Sequence, residues 1–143
     1  MKWYAGSDHA GFQLKQALVK FLREQGDEVI DVGTTNETSC DYPVFGAEVG
    51  KRVAGDQGAF GLVICGTGIG ISIAANKVPG VRAALAHNAF TAEKAREHND
   101  ANVLALGARV IGQAIAESAV VAFRRTAFAG GRHQKRVDQI ERR

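Results

Sequence analysis

Strands and helices alternate along this 143-residue chain. The alternation predicts an α/β fold: a Rossmann-like three-layer sandwich with a five-stranded parallel sheet and an extended C-terminal helix. Two further observations point the same way. Residues 60–65 (Phe-Gly-Leu-Val-Ile-Cys) hold no polar side chain beyond a thiol, as suits a strand whose sheet is covered on both faces. Glycines at 6, 33, 66 and 107 each follow the predicted carboxyl end of a strand, where such a chain turns towards its next helix.

Taken in order, residues 2–5 form the first strand. Leu14, Leu18, Phe21 and Leu22 then share one face of a helix over 12–25, stopped by Gly26. A second strand covers 28–32. After a polar loop over 34–42, Pro43 opens a helix whose stripe is Phe45, Val49 and Val53, weakened by Gly46 and Gly50. The apolar strand 60–65 runs into Gly66-Thr67-Gly68-Ile69-Gly70 and a helix over 71–77. A fourth strand over 81–86, a short helix over 89–97 and a fifth strand over 103–106 follow. Ile111, Ile115, Ala119, Ala122 and Phe123 mark one face of a long helix, and Gly130-Gly131 precedes a basic helix over 132–143. No repeat or linker interrupts the chain, so residues 1–143 read as a single domain with right-handed crossovers.

Composition narrows the function class. The chain is 45% hydrophobic and 23% charged, ordinary for a soluble globular domain, and its apolar runs are too short for a bilayer. Cys40 and Cys65 are its only cysteines, too few for a secreted disulfide scaffold, so the expected location is the cytoplasm. Residues 124–143 hold seven Lys/Arg against Asp138 and Glu141, a net +5; the whole chain carries +3, so residues 1–123 carry −2. A basic tail on an acidic body argues against a nucleic-acid-binding surface and for a local anion site near the C-terminus.

Ligands of open parallel sheets bind beyond the carboxyl ends of the strands, at the switch point of the topology. The Gly66–Gly70 loop stands there. Alternating glycines between a buried strand and a helix let backbone N–H groups approach an anion. The loop has neither the Gly-Lys-Ser/Thr of a P-loop nor the third glycine of the dinucleotide fingerprint. The bland alternative is a tight turn with no ligand. Cys65 would face the helix N-terminus, a setting that favours a thiolate base or nucleophile, although a buried Cys is as often a small hydrophobe. Asp8 and His9, on the first strand-to-helix loop, suit hydroxyl or phosphate binding. Asp8 could equally serve as a helix cap. Arg132 and Arg136, four apart on one helix, could join Arg109 in clamping a phosphate, or could be a solvated basic face. His98 falls between a helix and the next strand, at the edge of the sheet away from the other candidates. By position alone it reads as a surface residue.

In combination, Asp8-His9-Ala10-Gly11-Phe12, Asp41-Tyr42-Pro43, Cys65-Gly66-Thr67-Gly68-Ile69-Gly70-Ile71, Ala74-Ala75-Asn76-Lys77, His98-Asn99-Asp100 and Gly130-Gly131-Arg132-His133 resemble the type B ribose-5-phosphate isomerases and the related galactose-6-phosphate isomerase subunits. The resemblance runs from residue 8 to the C-terminus. It implies interconversion of ribose 5-phosphate and ribulose 5-phosphate through a cis-enediolate, in the pentose phosphate pathway, with no metal or cofactor. By the same resemblance Cys65 is the base, and Thr67 with the Gly66, Gly68, Ile69 and Gly70 backbone holds the enediolate oxygens. His98 moves a proton at the ring oxygen; Asp8, Tyr42 and Asn99 hold sugar hydroxyls; His9, Arg109, Arg132 and Arg136 bind phosphate. The family pattern implies a homodimer with shared active sites (a tetramer is not excluded by it), in which His98, Asn99 and Arg109 come from the partner chain. One branch of the family carries Ser at position 65 and Glu at position 71; with Cys and Ile here, Cys65 is the only candidate base. Two alternatives remain at this stage: an isomerase of six-carbon phosphates (allose or galactose 6-phosphate), and a non-catalytic sugar-phosphate-binding module, which would need no titratable thiol beside an anion loop.

Overall fold

The computed structural model describes residues 1–142. Its elements are β1 (Lys2–Ser7), α1 (Phe12–Glu24), β2 (Glu28–Asp31), α2 (Tyr42–Ala54), β3 (Phe60–Cys65), α3 (Ile69–Asn76), β4 (Ala83–Leu85), α4 (Ala89–Asn99), β5 (Val103–Gly107), α5 (Gln113–Arg125) and α6 (Arg132–Glu141). All five strands lie in one parallel sheet ordered β2-β1-β3-β5-β4, which bears out the predicted α/β sandwich. The order reverses between β1 and β3, so the loops leaving those two strands open onto the crevice where such sheets bind ligands.

Side chains alternate across the strands and divide the core into two layers. Leu62 and Ile64 point with Trp3 and Ala5 towards α1, α4 and α5, where Leu18, Leu22, Ala92 and Phe123 meet them. Val63 and Cys65 point the other way with Tyr4, against Val49 and Val53 of α2 and Ile71 and Ala75 of α3. The period-two pattern therefore sends the Cys65 side chain towards the helix that its own loop begins. Among the described residues, no helix is long and apolar enough to cross a membrane.

Several element boundaries differ from the sequence reading, β1 running on through Gly6 to Ser7 and β5 taking in Gly107 among them, and three of the differences have a clear cause. α3 begins at Ile69 rather than at 71, because Gly68 at φ 76° makes the left-handed turn that starts it. α4 runs two residues past 97 and takes in His98 and Asn99; Asp100 closes it at φ 46°, held by Arg96 Nη1 at 2.8 Å and capped on its carbonyl by Arg82 Nη2 at 2.8 Å. β4 is only three residues long. The Asn76 side chain donates to the Ala83 carbonyl at 3.0 Å and accepts from the Ala83 N–H at 2.8 Å, so an amide side chain closes part of an edge that would otherwise be free to pair. The predicted end of the last helix at Arg143 lies outside the described residues.

Candidate active site

Cys65 ends β3 with only 4% of its surface exposed, and its Sγ accepts a hydrogen bond from the Gly68 N–H at 3.1 Å. The chain turns sharply enough for that contact because Gly68 lacks a side chain. A Cβ there would sit 2.6 Å from Leu85 Cδ1 and 2.7 Å from the Leu106 carbonyl carbon. Thr67 Oγ1 accepts from the Ile69 N–H at 3.2 Å, which leaves its own O–H free to donate. The first turn of a helix has no intrahelical acceptors for its N–H groups, so those of Gly70 and Ile71 remain for a ligand. The loop therefore combines a sulfur acceptor, a hydroxyl donor and several amide donors.

The neighbouring loops face the same crevice. Asp8, buried, accepts from the Gly11 N–H through Oδ1 at 3.1 Å. It thus shapes the turn before α1, as the cap alternative foresaw, although the cap position itself is Gly11; its Oδ2 is left over for a ligand. His9 Nδ1 accepts from the Cys40 N–H at 3.1 Å, which puts the ring proton on Nε2 and makes that atom a donor. Tyr42, 39% exposed at the start of α2, lies against Gly70, where a Cβ would meet its ring at 2.4 Å. Arg109 departs from expectation. Its N–H donates to the Gly66 carbonyl at 2.9 Å, and a Cβ on Gly66 would lie 3.2 Å from its Nη1, so it stands beside Cys65 of its own chain rather than being held out for a partner.

His98 and Asn99 lie elsewhere. They end α4 close to the amino ends of β3 and β4: Arg82 Nε donates to the Asn99 carbonyl at 3.1 Å, and Gly61 N–H to the Asn102 carbonyl at 2.8 Å. Cys65 stands at the other end of β3, about 17 Å away at the usual strand rise. α6 joins His98 there. The His98 and His133 rings stack with centroids 4.3 Å apart, and Arg132 and Arg136 project exposed from α6 with no carboxylate partner among the described residues. Burial, reinforced by the charges of His98, Arg132 and Arg136, pushes His133 below the ordinary histidine range.

The candidate residues therefore fall into two groups, Asp8, His9, Tyr42, Cys65, Thr67 and Arg109 at one edge of the sheet and His98, Asn99, Arg132 and Arg136 at the other. A groove of about 830 Å³ runs along β4 between α3, α4 and the end of α6, with Asn99 in its wall. Exposed Ile69, Ile73, Phe90 and Ile140 belong to the same three helices. Among the described residues, no three His, Cys, Asp or Glu side chains cluster as metal ligands would. Sequence reasoning missed two contributors. The Cys40 amide is a backbone donor that no side-chain pattern reveals. Lys15, fully buried, gives its three N–H donors to Asp31 Oδ1 (2.6 Å), Asp31 Oδ2 (2.7 Å) and the Thr34 carbonyl (2.8 Å), pinning the loop that leads to Cys40 and Tyr42; a lysine between Leu14 and Gln16 carries no signal of this.

Comparison with known proteins gives these geometries a context. Residues 4–140 match the family model described as Ribose/Galactose Isomerase. Ribose-5-phosphate isomerase B of Escherichia coli (strain K12) is 48% identical over 135 residues, spanning 94% of this chain and 91% of that one. The structure of Clostridium thermocellum ribose-5-phosphate isomerase B superposes with a TM-score of 0.97 at 51% identity, covering 99% of this chain and 96% of that one. The Mycoplasma genitalium ribose-5-phosphate isomerase B, solved with bound ribulose-5-phosphate, gives 0.95 at 39% identity, covering 99% and 94%.

Proposed function

The chain belongs to the ribose/galactose isomerase family, and from that premise we propose that it interconverts ribose 5-phosphate and ribulose 5-phosphate in a site completed by a second copy of itself. The observation that carries this reading is the pairing of Cys65 Sγ with the Gly68 N–H at 3.1 Å, beside a free hydroxyl donor on Thr67 and unoccupied helix N–H groups. A base sits next to an array of donors, which is what forming and holding an enediolate requires. The homodimer is supported by the division of the candidates between two edges of the sheet, and by the groove and exposed apolar side chains between them. A two-fold pair presents the same surface twice and joins each half-site to its complement.

The chemistry then runs as follows. The furanose opens when the C1–O4 bond breaks, O4 taking a proton from His98 while the anomeric hydroxyl gives its own to water, from which His98 is recharged. Cys65, as the thiolate, removes the proton from C2; the electron pair forms the C1–C2 double bond, and the former carbonyl electrons move to O1. The Gly70 and Ile71 amides and the Thr67 hydroxyl hold that charge. Cys65 returns the proton to C1 while a proton passes from O2 to O1, a transfer that the Thr67 hydroxyl, both donor and acceptor, can relay. Asp8, Tyr42 and Asn99 hold sugar hydroxyls. His9 through Nε2–H, with Arg109, Arg132 and Arg136, binds the phosphate, and fork-shaped guanidinium groups suit a phosphate dianion.

The purified protein is expected to convert ribose 5-phosphate to ribulose 5-phosphate with chelator present. Cys65→Ala should abolish the conversion without altering the fold by circular dichroism. Full activity in that variant would remove Cys65 from the mechanism. A wild type inert on ribose 5-phosphate but active on allose 6-phosphate would reassign the substrate to the six-carbon class.

A further inference from the structure

Resting on the isomerase reading above, we infer that His133 is a positioning residue: its ring fixes the plane of the His98 imidazole that opens the furanose. His98 sits in the last turn of α4 with 41% of its side chain exposed, so its own helix does little to restrain it. Restraint comes from α6. The two imidazoles are stacked with centroids 4.3 Å and planes only 11° apart, and His133 is itself buried at 8% exposure on the inner face of α6 with Val137. A flat buried ring against a flat exposed one leaves the exposed ring its edge, where both nitrogens lie, and removes rotation about its side-chain bonds.

Two other features fit this arrangement. Arg82 ties α6 to the end of α4, gripping Glu141 while it donates to the Asn99 and Asp100 carbonyls. The helix that holds His98 also carries Arg132 and Arg136, so one rigid element sets both the ring-opening group and the phosphate contacts. The charged groups facing the pair are Glu97, whose Oε2 lies 3.8 Å from His98 Nε2 and is held by Lys94, together with Arg132 and Arg136. Burial, with the charges of His98, Arg132 and Arg136, lowers the His133 pKa against the opposing pull of Glu97.

The test separates ring opening from enediolate chemistry. Ribose 5-phosphate is a closed furanose, whereas ribulose 5-phosphate is open because its O5 carries the phosphate. Solvent deuterium exchange at C1 of ribulose 5-phosphate therefore reports on Cys65 without ring opening. His133→Ala should lower kcat on ribose 5-phosphate by about tenfold or more, as small misplacements of a reacting group do. KM should stay within about twofold, and exchange should be unchanged. His133→Phe restores a flat partner and should keep kcat within about threefold of wild type. His133→Leu fills the volume without a ring plane and should behave like Ala, which preserves the test if the Ala variant does not fold. Unchanged turnover in the Ala and Leu variants, equal loss of turnover and exchange, or a Phe variant as impaired as Ala would each overturn the inference while leaving the isomerase reading intact. A wild type without isomerase activity would instead refute the reading on which the inference rests.

Discussion

Gly68→Ala places a methyl group where the fold has no room for one. The residue sits at φ 76°, a left-handed conformation that costs an L side chain about 1–2 kcal/mol. The new Cβ would lie 2.6 Å from Leu85 Cδ1, 2.7 Å from the Leu106 carbonyl carbon and 2.9 Å from its oxygen. Leu85 can turn aside, but the β5 backbone cannot, and overpacking of that kind adds about 1–3 kcal/mol. Together these amount to about 2–5 kcal/mol, set against a total stability of about 5–15 kcal/mol for a domain. Relief requires the 66–68 turn to retreat, which withdraws the Gly68 N–H from Cys65 Sγ and misaligns the amides behind it. Loss of one such donor lowers kcat by about a hundredfold. Urea denaturation reads the first effect and ribose 5-phosphate turnover the second. A variant with a wild-type midpoint and wild-type kcat would show that the turn accepts a side chain, and the argument from its geometry would fail.

Gly70→Ala makes a useful contrast. The added Cβ meets the Tyr42 ring at 2.4 Å, but a half-exposed ring can swing out, and Ala is the better helix former by about 1 kcal/mol. Stability should hold or rise slightly while KM increases several-fold; an unchanged KM would separate Tyr42 from sugar binding. Lys15→Met leaves the Asp31 carboxylate and the Thr34 carbonyl without their donor. Breaking a buried pair costs about 3–5 kcal/mol, and the 28% exposure of the Asp31 side chain places this loss towards the lower end. Adding Asp31→Leu should recover most of it in urea denaturation, and a single variant as stable as wild type would contradict the assignment. Asp27 is held below its ordinary value of 3.8, first by Arg124 and then by the N-terminal ammonium and the Trp3 N–H. Its folded value is thus lower than its unfolded one, so its stabilisation is complete above about pH 4 and fades as pH falls through the folded value. The gap in urea midpoint between wild type and Asp27→Asn should be constant from pH 7 to 5 and close in more acidic solution, whereas a gap independent of pH would exclude the linkage.

Sequence patterning located β3 to the residue, because a strand buried on both faces is apolar throughout, a composition that only β5 approaches among the described strands. It located the crevice equally well, since Gly66 directly follows the end of β3 at Cys65, although Gly6 and Gly107 fall inside their strands. Local side-chain patterns were weaker where backbone conformation decides. The α3 start depends on a left-handed glycine, and the α4 end on Asp100 adopting φ 46°, which is uncommon outside glycine. Contacts between distant residues were invisible: Lys15 meets Asp31 sixteen positions away, His9 meets a backbone amide at Cys40, and His133 meets His98 across two elements. Position alone judged His98 correctly as remote from Cys65 within one chain. The role proposed for it rests on a second chain, which no periodicity within one sequence encodes.

The shared site can be tested by mixing two chains, each crippled in a different half. Cys65→Ala and His98→Ala should each be severely impaired alone. When they are denatured together in equal amounts and refolded, half of the dimers will be mixed. Each mixed dimer then holds one site with both lesions and one with neither. The account predicts recovery of about a quarter of wild-type activity on ribose 5-phosphate, set by that two-fold symmetry. A mixture no more active than its separate components would contradict it, because Cys65 and His98 would then have to serve the same site from the same chain, or from no shared site at all.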